Sequence, residues 1–167
     1  MRIRLIMHEQ DDPRKCTAAR LIRDGNAKRI SIAGDTTLLL NPFADRLLLS
    51  TDRKRARSIT AVDCSWRLVK NVFERQNVGL QRRLPPLFAG NPVNYAKLSK
   101  LTTAESISGA LYIMGFRKQA EIILGGQKWG HTFFELNASL LEDYAKLDSK
   151  ENLTQLLKQY GIHDEST

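Results

Sequence analysis

The stretch of sequence that decides the fold is Ile59-Thr60-Ala61-Val62-Asp63-Cys64-Ser65-Trp66. Its first four residues predict a strand of an α/β sheet, and the next four place a carboxylate, a thiol, a hydroxyl and an indole at the end of that strand. Open α/β sheets bind ligands at the carboxyl ends of their strands. The stretch therefore predicts a ligand site. The alternative interpretation is that Asp63 is a helix cap and Trp66 a core indole.

A second informative stretch follows about twenty residues later. Residues 84–95 read Leu-Pro-Pro-Leu-Phe-Ala-Gly-Asn-Pro-Val-Asn-Tyr, which is too rich in Pro and Asn for a regular helix or strand. The two stretches together, each with polar or aromatic side chains outside regular structure, favour one shared ligand pocket.

The hydrophobic pattern divides the chain near residue 90. Before that point a helix is predicted over 16–24, ending at Gly25, and short apolar runs predict strands at 3–7, 29–33, 37–40, 47–49 and 59–62. After residue 100 the apolar spacing is helical, and Thr102 with Glu105 forms a capping box that predicts the first helix start. We therefore expect an α/β domain over 1–90 and a helical domain over 91–167.

Charge follows the same division. The net charge is +8, but residues 1–90 hold 18 Lys and Arg against 9 Asp and Glu, whereas residues 91–167 hold 8 against 9. The basic residues lie in three clusters: Arg14, Lys15, Arg20 and Arg23; Arg53, Lys54, Arg55 and Arg57; Arg82 and Arg83. Any one cluster is typical of a solvated face, but three in one half favour a polyanion, most plausibly nucleic acid.

Several functional classes are not supported by the sequence. The nucleophile elbow, the zinc-protease helix, the Walker loop and the dinucleotide-binding glycine motif are all missing. Cys16 and Cys64 form no CxxC pair, and the three histidines have no ligand spacing with them, so we expect neither a metal nor a disulfide. The first residues do not resemble a signal peptide and no apolar stretch could span a bilayer, so we expect a cytoplasmic protein.

Four motifs, taken together and in this order, resemble the small-subunit rRNA aminocarboxypropyltransferase family, particularly its archaeal members. They are Asp63-Cys64-Ser65-Trp66, the Leu84-Pro85 pair leading to Asn91-Pro92-Val93-Asn94-Tyr95, the helix start Leu101-Thr102-Thr103-Ala104-Glu105, and Lys128-Trp129-Gly130-His131 with 133–137. Departures from the family pattern are Ala96 in place of Gly, Asn41 in place of Ser before Pro42, and Gln127 in place of an aromatic residue.

The resemblance implies a SPOUT-like, knotted N-terminal α/β domain, an all-helical C-terminal domain, and S-adenosylmethionine (SAM) bound between them. By position, it implies SAM contacts at Thr17 near the methionine moiety, at Leu40 and Pro42 beside adenine, and at the Val62 carbonyl near the ribose. Further implied contacts are Leu84, Ser99, Thr103 and the Trp66 indole.

The reaction that the resemblance implies is transfer of the 3-amino-3-carboxypropyl (acp) group to N3 of a uridine or pseudouridine in small-subunit rRNA, without a metal, by a monomer. Asp63 would remove the N3 proton or bind the ammonium of SAM, and a purely structural Asp63 remains the alternative. The RNA contacts predicted from the three basic clusters are Arg14, Lys15, Arg20, Arg53, Lys54, Arg55, Arg57, Arg82 and Arg83. Two rival interpretations are a SPOUT-type RNA methyltransferase and a non-enzymatic rRNA-binding module.

Overall fold

The structure, a computed structural model, describes residues 1–8, 12, 14–64, 72–73 and 78–162. Its strands are β1 (Arg2–Met7), β2 (Lys28–Arg29), β3 (Thr37–Leu40), β4 (Ser58–Asp63) and β5 (Leu80–Arg82). Its α-helices are α1 (Thr17–Arg23), α2 (Thr103–Ile113), α3 (Arg117–Gly125), α4 (Gly130–Lys146) and α5 (Lys150–Gln159), and a 3₁₀ helix covers Ser50–Lys54. None of the described helices is both long and apolar enough to cross a membrane.

The sheet is parallel throughout the described strands, in the order β2-β1-β4-β3-β5. β4 lies at its centre and pairs with β1 along its whole length, from Arg2 opposite Ser58 to Met7 opposite Asp63. Parallel strands are usually covered on both faces and are therefore strongly apolar. Leu5, Leu38 and Ile59 are fully buried, which confirms the predicted α/β class.

The predicted strands are found with two exceptions. Residues 37–40 coincide with β3 and 59–62 lie within β4, but of 29–33 only Arg29 is in a strand. The predicted strand at 47–49 is wrong. Its leucines are apolar because Leu47 and Leu48 are buried in the core, and the segment makes only an isolated bridge to Arg83.

The helix predicted over 16–24 is found as α1, which begins one residue later at Thr17, and the capping box predicted at the start of α2 is confirmed. Cys16 precedes α1 and its Sγ accepts a hydrogen bond from the Ala19 amide at 3.3 Å. Thr102 precedes α2, where its hydroxyl accepts from the Glu105 amide at 3.2 Å and the Glu105 carboxylate accepts from the Thr102 amide at 2.7 Å. This reciprocal pair is the capping box that the sequence predicts.

The sheet and the helices share one continuous cluster of buried side chains. It includes Leu5 and Ile59 from the sheet, Ile107 and Leu111 from α2, and Phe133 from α4. Apolar burial from both sides of residue 90 therefore stabilises the same core. The division into parts 1–90 and 91–167 stays a prediction.

Gly90 is required where the irregular segment after β5 approaches α4. A Cβ at this position would lie 2.5 Å from the Phe133 backbone nitrogen and 2.7 Å from its Cα. We expect Gly90→Ala to lower the free energy of unfolding by about 1–3 kcal/mol, because the loop and the helix would have to separate. Urea denaturation measures this loss.

The matched control for Gly90 is Gly125, the last residue of α3, where a Cβ would meet no atom within 4 Å. Gly125→Ala should leave the unfolding free energy unchanged or slightly higher, because alanine favours the helix. Equal stability of the two variants would contradict the close approach at Gly90.

Candidate active site

Three segments meet at the carboxyl end of β4. Asp63 is the last residue of that strand, Cys16 caps α1, and Thr103 is the first residue of α2. The Thr103 hydroxyl donates a hydrogen bond to Asp63 Oδ1 at 2.8 Å, and the Cys16 thiol donates to Asp63 Oδ2 at 3.1 Å. The half-buried Asp63 carboxylate thus joins the central strand to the starts of two helices.

A second contact connects the two helix starts directly. The Ala104 amide in the first turn of α2 donates to Thr17 Oγ1, in the first residue of α1, at 3.4 Å. The positive ends of both helix dipoles therefore face the region of Asp63. The structure brings together Thr17, Asp63 and Thr103, which the sequence analysis selected as site residues.

Burial and Asp63 together hold both thiols in their protonated form. Burial, followed by the hydrogen bond and negative charge of Asp63, raises the pKa of Cys16 to about 11, although the Ala19 amide opposes this shift. Burial and then the charge of Asp63 also raise the pKa of Cys64. Cys16 is therefore a hydrogen-bond donor to the site rather than a thiolate nucleophile. The sequence analysis placed Cys16 inside the predicted helix 16–24 and did not select it as a cap or as a site residue.

A buried carboxylate connects the irregular segment after β5 to the start of α2. Glu105 is fully buried, and its Oε1 accepts from the backbone amides of Gly90 at 2.7 Å and Asn91 at 3.0 Å. Its Oε2 accepts from Asn91 Nδ2 at 2.9 Å and from the Thr102 amide at 2.7 Å. Four donors on two oxygens stabilise a buried charge that would otherwise be costly.

Helix α4 holds the earlier part of the same segment. Asn137 Oδ1 accepts from the Phe88 amide, its Nδ2 donates to the Phe88 carbonyl, both at 2.8 Å, and the Tyr144 hydroxyl donates to the Pro86 carbonyl at 2.9 Å. Residues 84–95 form no helix or extended strand, as the sequence predicts. Their polar backbone groups are instead satisfied by buried side chains. The sequence pattern did not identify Asn137 or Tyr144 as these partners.

The residues expected to contact adenosine lie at the same edge of the sheet as Asp63. Leu40 ends β3, Val62 is the penultimate residue of β4, and Pro42 and Leu84 each follow a strand by two residues. Because β4, β3 and β5 are adjacent and parallel, these positions share the carboxyl edge. Trp66 lies outside the described residues.

A cavity of about 600 Å³ opens beside the ends of β3 and β5. It is lined by Asn41, Phe43, Ala44, Asp45, Arg46, Phe73, Gly79, Leu80, Gln81 and Arg82. This volume is typical of small-molecule sites, and the cavity borders the segment that contains Pro42. Ser99, the remaining predicted contact, is exposed, and its amide donates to the Leu87 carbonyl at 2.8 Å.

Most of the predicted RNA-binding residues are exposed. These are Arg14, Lys15, Arg20, Arg53, Lys54, Arg55 and Arg57, whereas Arg83 is half-buried. Arg82 requires a correction. It is only 6% exposed, and its guanidinium binds the buried Asp52 carboxylate, with Nη2 at 2.8 Å and Nε at 2.9 Å. This pair joins β5 to the 3₁₀ helix, so we exclude Arg82 from the proposed RNA surface.

The Asp63 geometry predicts a change in thiol reactivity. Asp63→Asn removes the negative charge that disfavours the Cys16 thiolate, so the pKa of Cys16 should fall below about 11. The measurement is the pH dependence of iodoacetamide alkylation in a Cys64→Ser background. A Cys16 pKa that does not change would contradict the contact with Asp63.

The hydrogen bonds of Glu105 predict that a substitution which keeps the size of this side chain will still destabilise the protein. Glu105→Gln replaces one acceptor oxygen by an NH₂ group that faces two donors, Asn91 Nδ2 and the Thr102 amide in the present geometry. We expect the unfolding free energy to fall by about 1–3 kcal/mol, the range for leaving buried polar groups unsatisfied. The exposed Glu135 of α4 provides the control, since Glu135→Gln should change stability by less than about 0.5 kcal/mol. Equal effects of the two changes would contradict this role of Glu105.

Comparison with known proteins places this chain in one family. The profile of the family described as "Ribosome biogenesis protein, C-terminal" matches residues 38–161. The chain is 38% identical over 156 residues to the 16S rRNA aminocarboxypropyltransferase of Methanosarcina mazei, covering 90% of each chain. It is 41% identical over 152 residues to that of Thermoplasma acidophilum, covering 89% of this chain and 93% of the relative.

A solved structure is similar to nearly the whole chain. It is the SAM-dependent rRNA:acp-transferase Tsr3 from Vulcanisaeta distributa, with a TM-score of 0.88 and 34% identity, covering 99% of this chain and 91% of that chain. The resemblance drawn from the sequence motifs is confirmed by these relatives and by this structure. The chain therefore belongs to the 16S rRNA aminocarboxypropyltransferase family.

Proposed function

We propose that this chain transfers the acp group from SAM to N3 of a uridine or pseudouridine in small-subunit rRNA, releasing methylthioadenosine, during ribosome biogenesis. The observation that carries the proposal is the meeting of Asp63 with Thr103 and Cys16 at the carboxyl edge of the sheet. That arrangement occurs in a chain whose enzyme relatives match about 90% of its length.

The residues at this edge fit SAM, which carries an ammonium, a sulfonium, a carboxylate and an adenosine. The Asp63 carboxylate suits a cation, and the first-turn amides of α2 suit a carboxylate. Pro42 is half-buried and offers apolar surface for adenine, beside the end of β3 where Leu40 is buried, and the half-buried Leu84 offers a further apolar contact. When bound, SAM supplies a carbon activated by its sulfonium, so that the carbon–sulfur bond can break as the bond to N3 forms.

Asp63 has two proposed roles in the transfer. It can take the proton that N3 must lose, because a carboxylate within reach is a general base. It can instead bind the ammonium of SAM. In both roles the neutral donors Thr103 and Cys16 orient the carboxylate without neutralising its charge. A metal is not needed, since the leaving group is already cationic.

The finer architecture is also a proposal. A SPOUT-like knot in the N-terminal part is supported by the strand order, in which β5 pairs with β3 on the side away from β4 although it follows β4 in the chain. A helical C-terminal domain is supported by the position of α2 to α5, all of which follow residue 102. A crystal structure traced through residues 64–79 tests the knot.

We further propose that the protein is monomeric and cytoplasmic.

The function is tested by supplying SAM labelled in the methyl group or in the carboxyl group to separate reactions with unmodified small-subunit rRNA. We expect the carboxyl label, and not the methyl label, to enter the RNA. Methyl label in the RNA would instead indicate a methyltransferase. Binding of RNA with neither label incorporated, and with no calorimetric binding of SAM, would indicate a non-enzymatic module.

Asp63→Asn, compared with the exposed control Asp35→Asn, separates the roles of Asp63. Loss of acp transfer with unchanged SAM affinity would indicate proton removal, whereas loss of both would indicate ammonium binding. Asp35→Asn should retain both activities. Full transfer by the Asp63→Asn variant would leave Asp63 with only a structural role.

The basic cluster on and beside the 3₁₀ helix predicts a salt-dependent RNA contact. Replacing Arg53, Lys54 and Arg55 with Ala should weaken RNA binding, and each lost phosphate contact should reduce the log–log salt slope by about 0.7–0.9. SAM affinity should remain unchanged. A control triple variant at the exposed Lys118, Lys150 and Lys158 should keep the parent slope. Equal slopes in all three proteins would contradict RNA binding at this cluster.

A further inference from the structure

The loop formed by residues 91–100 presents two large apolar side chains to solvent. Val93 is 83% exposed and Tyr95 is 59% exposed, although most apolar side chains in the described part of the chain are buried or half-buried. They are two residues apart in one loop. Two neighbouring exposed side chains of this kind indicate a binding surface more strongly than a single one.

The backbone of the 91–100 loop is held in one shape. Asn91 Nδ2 donates to the Lys100 carbonyl at 3.4 Å and to Glu105 Oε2 at 2.9 Å, which joins both ends of the loop to α2. Further backbone hydrogen bonds cross its base, from Ala89 to the Lys97 carbonyl at 2.9 Å and from Ala96 to the Ala89 carbonyl at 2.8 Å. The loop is therefore preorganised, which lowers the entropic cost of binding a partner.

Two residues of the loop adopt a conformation that side-chain-bearing residues rarely use. Ala96 has a φ of 58° and Ser99 a φ of 57°, and no other non-glycine residue in the described ranges has a positive φ. Backbone strain of this kind persists where the surrounding contacts enforce it, and it is concentrated at functional sites. Tyr95 directly precedes Ala96 in this turn and is exposed.

The charge and the position of the loop identify its partner. Residues 91–100 contain Lys97 and Lys100 but no acidic residue, whereas residues 91–167 as a whole hold 8 basic against 9 acidic residues. The loop leads through Thr102 directly to Thr103, which binds Asp63. An exposed aromatic side chain in a loop that carries two lysines and leads to the first residue of α2 fits an unpaired nucleotide of the proposed RNA substrate.

We propose that Tyr95 is a stacking platform for an unpaired base of the rRNA beside the modified nucleotide, with Val93 and the lysines of the loop at its edges. This inference rests on the proposed function and adds a specificity-determining contact to it. Stacking of bases on exposed aromatic rings is the general means by which proteins hold single-stranded RNA. The rigid loop would set the distance between that base and the reacting nucleotide.

The test is the affinity of the full chain for transcribed, unmodified 16S rRNA. Tyr95→Ala should weaken binding by about 5- to 150-fold, the range expected for loss of one base–aromatic stack. The salt slope should stay the same, since no phosphate contact is removed, and SAM affinity should not change. Tyr95→Trp should keep the parent affinity. Tyr95→Leu, which keeps the apolar surface but lacks the ring, should bind as weakly as Tyr95→Ala.

Tyr160→Ala, which removes a 40% exposed tyrosine at the end of α5, is the matched control and should retain RNA affinity. The proposal is overturned if Tyr95→Ala keeps the parent affinity or if Tyr95→Leu restores it. Reduced SAM binding or thermal stability in Tyr95→Ala would also overturn it, because Tyr95 would then support the fold.

A defect of Tyr95→Ala that appears with small ribosomal subunits but not with the naked transcript would assign the loop to a ribosomal protein and overturn the proposal. Binding of the transcript does not require acp transfer. A parent protein that binds RNA through Tyr95 but incorporates no carboxyl label would therefore contradict the proposed function and leave this inference standing.

Discussion

The geometry of the site depends on one buried charge, the Glu105 carboxylate. It is fully buried and accepts four hydrogen bonds, from Gly90, Asn91 and Thr102. Because a buried carboxylate must be satisfied by donors, the irregular segment after β5 has to close onto the first turn of α2. The same turn carries Thr103, which reaches Asp63. The interactions of Glu105 therefore connect the shape of the loop to the position of Thr103 beside Asp63.

Asp63 occupies the point where the parallel sheet and the helices meet. The parallel arrangement places the ends of β4, β3 and β5 at one edge, so residues that are distant in sequence become neighbours there. Thr103 and Cys16 bind the two oxygens of the carboxylate from different helices. Both donors are neutral, so the site keeps the negative charge that the proposed binding of SAM uses, and the exposed basic residues form the proposed RNA surface.

The sequence predicted the α/β class, the capping box of α2 and the irregular segment 84–95, because each leaves a local pattern. Asp63 was selected from its place at a strand end, whereas Thr17 and Thr103 came from the resemblance to the family, and the roles of all three stay proposals. Other features left no such signal. The run 47–49 resembles a strand because its leucines are buried, although their backbone pairs with the sheet only through one bridge. Arg82 cannot be distinguished in the sequence from its half-buried neighbour Arg83, since its burial against Asp52 depends on a residue thirty positions away.

The sequence by itself determined which local structures form and which side chains follow the strands, because hydrophobic period, capping residues and turn residues act over a few positions. Only the tertiary structure decided that Cys16 donates to Asp63, that Asn137 and Tyr144 hold the loop, and that Tyr95 remains in solvent. These outcomes depend on contacts between segments far apart in the chain, where packing and the need to satisfy buried polar groups select the partners.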